Sequence, residues 1–207
     1  MLRWLVALAA VAVFLPAAAA PAHTDAYARV VVPGSAVGGV TLGESLSDVH
    51  RQLGRVPGVT GDGNSGYDEY WQWGTLRSLS LPVDALDVDY AWVNGKPGPV
   101  SFLGTPGAWT IAGTNIVSRT HGDVAALRRF YGKRLLGPYV GSPPTGIDGS
   151  AAVYYELHGR YLGRPVHTVF RTTTYRALAD EILSVSVSFC VTTDLFRNAQ
   201  DYPCHTA

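Results

Sequence analysis

Apolar and polar residues alternate at period two along much of this chain. Leu183, Val185, Val187 and Phe189 alternate with Ser184, Ser186 and Ser188, so residues 182–190 predict a half-solvated antiparallel strand with one face on a core. Tyr67, Glu69, Trp71 and Trp73 fall on a single face in the same way. Residues 88–93 run into Asn94-Gly95, a strong two-residue hairpin signal, and 98–103 supply the return strand. Residues 151–157 and 165–173 flank a polar stretch at 158–163, which predicts a second hairpin with a longer loop. Shorter β-rich runs at 29–32 and 38–43 are punctuated by Pro33-Gly34 and by glycines.

The period lengthens to that of a helix in two places. Ser45 is a good N-cap, Leu46, Val49 and Leu53 share a stripe, and Gly54 occupies the position just past the end. Further on, Thr120 or His121 opens a segment in which Val124, Leu127 and Tyr131 line up, and Gly132 closes it. A third, shorter helical segment is expected around 175–180. Asp48-Val49 and Asp123-Val124 hold equivalent places in the two main helices, and strands follow both. The expected fold is therefore α+β: two tandem helix-plus-antiparallel-sheet units, at 23–112 and 113–207, able to join into one concave sheet.

The first 22 residues change the setting. Arg3, an apolar run from Trp4 to Leu15, and Ala20-Pro21-Ala22 form a cleavable export signal, whose apolar run is too short for a membrane span of roughly 20 residues. The product expected is a secreted or extracytoplasmic chain, residues 23–207, with no stable membrane anchor. Once Arg3 leaves with the signal, 15 basic and 16 acidic residues remain. A near-neutral chain without a block of like charge has no bulk electrostatic reason to bind nucleic acid or anionic lipid. Arginine outnumbers lysine fourteen to two, a bias that fits a GC-rich bacterial genome. The two cysteines, Cys190 and Cys204, read as a disulfide in an exported protein, closing a loop of about 15 residues and contributing roughly 3 kcal/mol.

Residues 38–57 carry a pattern of strand, Leu42-Gly43, polar residues, Val49, Leu53-Gly54 and a displaced Pro57. It resembles the small envelope and secreted domains of the BamE (SmpA/OmlA) and β-lactamase-inhibitor-like group, and the chain resembles bacterial secreted proteins with two tandem copies of that unit. The resemblance is a fold signature over about twenty residues. It implies a protein-binding or assembly-stabilising role, with catalysis unusual for the group.

Candidate chemistry is sparse. Nucleophile-elbow, zincin, P-loop and dinucleotide motifs are all missing from the sequence. The six histidines are scattered, and only His158, His167 and Glu156 can meet across a hairpin, where cross-strand pairing accounts for them as well as chemistry does. Asp68, Glu69, Asp84, Asp87 and Asp89 could pair as glycosidase carboxylates but sit in turn-like settings. No catalytic residue, metal site or cofactor is expected. The stronger lead is aromatic: Tyr67, Tyr70, Trp71 and Trp73 within seven residues, with Tyr90 and Trp92 on the next strand. Such rings either fill the core against helix 46–53 or supply rigid contact area to a ligand. The expected function is a secreted noncatalytic binding module recognising a protein through sheet-face aromatics. The alternatives are a carbohydrate or cell-wall glycan binder and, further off, a secreted hydrolase.

Overall fold

The computed structural model describes residues 29–54, 67–76, 81–141 and 149–190, with the side chains of 72–76 and 81–84 outside that description. The export signal at 1–22 and Cys204 lie outside the described residues. In chain order the elements are strands β1 (Val30–Val32), β2 (Ala36–Val37) and β3 (Val40–Thr41), helix α1 (Leu46–Leu53), then β4 (Tyr67–Leu76), β5 (Leu81–Val93), β6 (Lys96–Pro106) and β7 (Thr110–Ile111). Helix α2 (Asp123–Tyr131) runs into a 3-10 turn at Gly132–Arg134, followed by β8 (Leu136–Val140), β9 (Ala152–Tyr161), β10 (Arg164–Thr173) and β11 (Ser184–Phe189).

The protein is mostly β, which corrects the expected pair of α+β units. Seven strands form one antiparallel sheet in the order β4-β5-β6-β11-β10-β9-β8, and four very short strands form a second, β3-β2-β1-β7. The two helices, of eight and nine residues, are pieces laid on one face of the large sheet. The physical reason is non-local. β6 pairs with β11 from Phe102↔Ser188 to Pro106↔Ser184, and β1 pairs in parallel with β7, so strands far apart in sequence become neighbours. Period two says which way a side chain points and is silent on which strand lies alongside. Residues 175–180 are turns, not a helix; Thr172 Oγ1 donates to the carbonyls of Leu178 and Ala179 there, at 3.3 and 3.2 Å.

One apolar core lies beneath the helices. Leu86, Val88 and Tyr90 of β5, Val100 and Leu103 of β6, Phe170 of β10 and Val185, Val187 and Phe189 of β11 meet Val49 of α1, Leu127 and Tyr131 of α2, and Val31, Val37 and Val40 of the small sheet. Two bonds, one buried and one partly buried, pin the covering layer down. Gly34 N–H donates to Thr168 Oγ1 at 2.7 Å, and Ile182 N–H donates to Asp123 Oδ1 at 2.7 Å. Burial holds Asp123 up at a pKa of about 6, against the opposing pull of its N–H donors from Ile182 and Thr120. A smaller cluster of Ala152, Tyr154 and Val169, with Tyr139 packed on it, occupies the opposite face.

Both hairpins turn through two left-handed residues, Asn94-Gly95 (φ 51° and 75°) and Leu162-Gly163 (φ 50° and 75°). This is the backbone a two-residue hairpin needs. The second loop is thus tighter than the sequence predicts: β9 and β10 continue in register to Tyr161↔Arg164. Because every strand of the large sheet is antiparallel, both turns and the end of β11 lie at one end of it.

Candidate functional site

Five of the six aromatics divide between the two faces and one end of the large sheet. Tyr67, Glu69 and Trp71 alternate onto the covered face of β4, opposite Tyr90, Val88 and Leu86 of β5. Glu69, 1% exposed, is the centre of this region. One carboxylate oxygen, Oε1, lies 2.6 Å from His50 Nε2 on α1 and accepts from the Tyr67 hydroxyl at 3.3 Å. The other, Oε2, accepts from the Tyr90 hydroxyl at 2.9 Å. A carboxylate in a core is costly unless donors surround it, and three do so here. Burial raises the Tyr90 phenol far above its ordinary range, and the bond to Glu69 pushes it the same way. Trp71 packs edge-on to His50, rings 6.5 Å apart, and its buried indole N–H has no acceptor. Tyr67, Trp71 and Tyr90 therefore work as packing and as the socket of α1.

Tyr70 points to the other face, where its cross-strand neighbour is Asp87. Asp68 and Asp89 pair one step along. Burial first, then the Asp68 charge, raises the Asp87 pKa to about 6; burial and Asp87 together raise that of Tyr70. Trp73 lies opposite Asp84 in register, and its side chain is outside the described residues.

Trp92 is different. It is 51% exposed, followed by Val93 at 48%, just before the Asn94-Gly95 turn and opposite Pro97. Beside it a cleft of about 500 Å³ opens between Pro97 and Pro99 of β6 and Gly43, Ser45 and Leu46 at the start of α1. The cleft walls are tied together, since Gly43 N–H donates to Val100 O and Val100 N–H to Glu44 O, both at 2.8 Å. Gly98 is required there: a Cβ would sit 2.8 Å from both Ala91 O and Val93 Cγ2. On the neighbouring hairpin Leu162, 67% exposed, reaches so close to Gly43 that a Cβ there would come within 2.8 Å of its Cδ1. Trp92, Val93, Pro97 and Leu162 thus lie at one end of the sheet, on its two hairpins.

The scattered titratable groups are held in pairs. His158 Nε2 lies 2.9 Å from Glu156 Oε2 on the same strand, His167 Nε2 lies 2.6 Å from Ser188 Oγ, and His121 Nδ1 lies 3.0 Å from Asp180 Oδ2. His158 and His167 are direct cross-strand neighbours, as the hairpin pattern predicts. Among the described residues no group of three or more histidine, cysteine, aspartate or glutamate side chains is placed to hold a metal ion. Cys190 follows β11 directly and is not a free thiol; its expected partner Cys204 is outside the described residues, and the Cys190–Cys204 bond stands as a proposal.

One charged group was not singled out by the sequence reading. Arg128, Arg129, Lys133 and Arg134 follow one another at the end of α2 and in the turn after it. The available signal was the lack of acid: residues 124–147 contain those four cations and no aspartate or glutamate.

No protein-family model matches this chain, and neither a curated protein nor a solved structure matches it.

Proposed function

We propose that the protein is a secreted, noncatalytic binding module that recognises a protein partner through the hairpin end of its large sheet, with Trp92 as the anchor. The observation that carries this reading is Trp92 itself: a half-exposed tryptophan on a hairpin, beside Val93 and a cleft walled by prolines. Tryptophan supplies a large rigid contact area at small entropic cost, and binding energy concentrates on such anchors. Glu44 joins the cleft walls through its backbone, the residues lining the cleft include no acid or base, and the Ser45 hydroxyl is engaged with Asp48 and Ser47 at the start of α1. That supports recognition over turnover.

The test uses residues 23–207 as bait for envelope extract and culture supernatant. One stoichiometric protein partner is expected, with Trp92→Ala costing about 2 kcal/mol or more in affinity. The same substitution should move stability by under about 0.5 kcal/mol, because the ring is on the surface. Retention of glycan alone, or equal loss of binding and stability, would overturn the reading.

A further inference from the structure

We propose that the end of α2 is a second, independent binding surface, one that docks reversibly on anionic lipid headgroups. Helix α2 turns Val124, Leu127 and Tyr131 into the core, which leaves Arg128, Arg129 and Phe130 on its outer side. Arg128 is used internally: its guanidinium donates to the Tyr155 hydroxyl at 2.6 Å and lies over that ring. Arg129, Lys133 and Arg134 form no ion pair with any described carboxylate, and all three are exposed. Between them in sequence stands Phe130, 56% exposed, its ring held edge-on by Tyr131 at 4.9 Å. Arg129 and Phe130 also border a cleft of about 600 Å³ whose far wall includes Thr114 and Asn115.

Arg134 lies over the Tyr131 ring at 5.9 Å, yet its charge, like those of Arg129 and Lys133, has no described carboxylate partner. An apolar ring beside three such cations asks for two things at once. A soluble acidic group would neutralise the charges and leave Phe130 in water. A lipid interface answers both, with phosphates for the cations and the acyl boundary for the ring. The charge is local, so the near-zero net charge of the chain does not oppose it: the acid-free stretch 124–147 supplies four positive charges on its own. The contact proposed is peripheral and salt-sensitive, since it rests on exposed charges; among the described residues no helix is long and apolar enough to cross a membrane.

The test is co-sedimentation of the processed protein, residues 23–207, with vesicles of phosphatidylglycerol and phosphatidylcholine in equal parts, against phosphatidylcholine alone. The leader is left out because its apolar run would bind any bilayer. Binding is expected only to the anionic vesicles, and to fall steeply with added salt. Each basic residue at such a surface is worth on the order of fivefold in partitioning, so removing Arg129, Lys133 and Arg134 together as glutamines should weaken it roughly a hundredfold. Phe130→Ala should weaken it severalfold while leaving the salt dependence intact, and Lys96→Gln, at the hairpin end, should change nothing. Unchanged circular dichroism of each variant shows that the fold is kept. Equal binding to both vesicle types, no binding to either, or a triple variant that still binds would overturn the proposal. So would preference for a soluble phosphate polymer that Phe130→Ala leaves unaffected.

Discussion

Two histidine–glutamate pairs occupy this sheet, and they do different work. His50 and Glu69 are 19 residues apart and join a helix to a strand across the covered face. His158 and Glu156 are two residues apart on β9, and the histidine reaches back along its own strand on the opposite face. Both carboxylates are buried and both histidines are only partly covered. The first pair closes a tertiary contact that nothing local would make; the second shields a carboxylate with a neighbour already fixed by the strand. A buried ion-pair partner is thus valuable according to the chain it ties down, not according to its distance.

Breaking the acid of the first pair gives the largest effect. Glu69→Ala strands the His50 ring and the Tyr67 and Tyr90 hydroxyls together, and thermal or denaturant unfolding should show a loss of about 3–5 kcal/mol. His50→Ala removes the helix-to-strand bond and the edge contact with Trp71 but leaves two hydroxyls on Glu69, so about 2 kcal/mol is expected. His158→Ala should cost less, about 1 kcal/mol, since β9 and β10 keep their full register without it. A larger loss from His158→Ala than from His50→Ala would reverse the comparison.

Asp87 sharpens it from the other side, as a carboxylate with Tyr70 and Gly104 for cross-strand neighbours and no histidine at hand. Its folded pKa of about 6 lies above the ordinary 3.8, so the fold holds its proton more tightly than the unfolded chain does. The stability this contributes is complete below about pH 4 and is lost as pH rises through about 6. Asp87→Asn should therefore raise stability near neutral pH by up to about 3 kcal/mol, do nothing at acid pH, and flatten the pH profile between them.

Local features were legible in the sequence. Ser45 caps α1, accepting from Asp48 N–H at 3.2 Å, and Gly54 ends it with φ 79°. Asn94-Gly95 makes its hairpin, and the serines and apolar residues of β11 alternate in burial as their pattern demands. These depend on neighbours within a few residues. The arrangement of strands was not legible, because nothing in residues 100–106 or 184–189 names the other as its partner. The aromatic site was half legible for a related reason. Periodicity placed Tyr67 and Trp71 together, but only the position of α1 decides that their face is buried. The exposure of Trp92 follows from irregularity, with β5 and β6 shifting register on either side of Tyr90. The cations of α2 are legible as an acid-free stretch, but only the packing of α2 decides which of them face solvent.

The strand that joins the two halves of the sheet is the last one. β11 lies between β6 and β10, so a chain emerging N-terminus first holds two separate three-stranded fragments, each with a raw edge, until residues 184–189 arrive. Cooperative closure has to wait for the final tenth or so of synthesis, and it then spans a loop of some eighty residues, a slow, non-local step. Any truncation that removes β11 should yield not a slightly weakened protein but one with two unsatisfied edges, prone to pairing with its own copies.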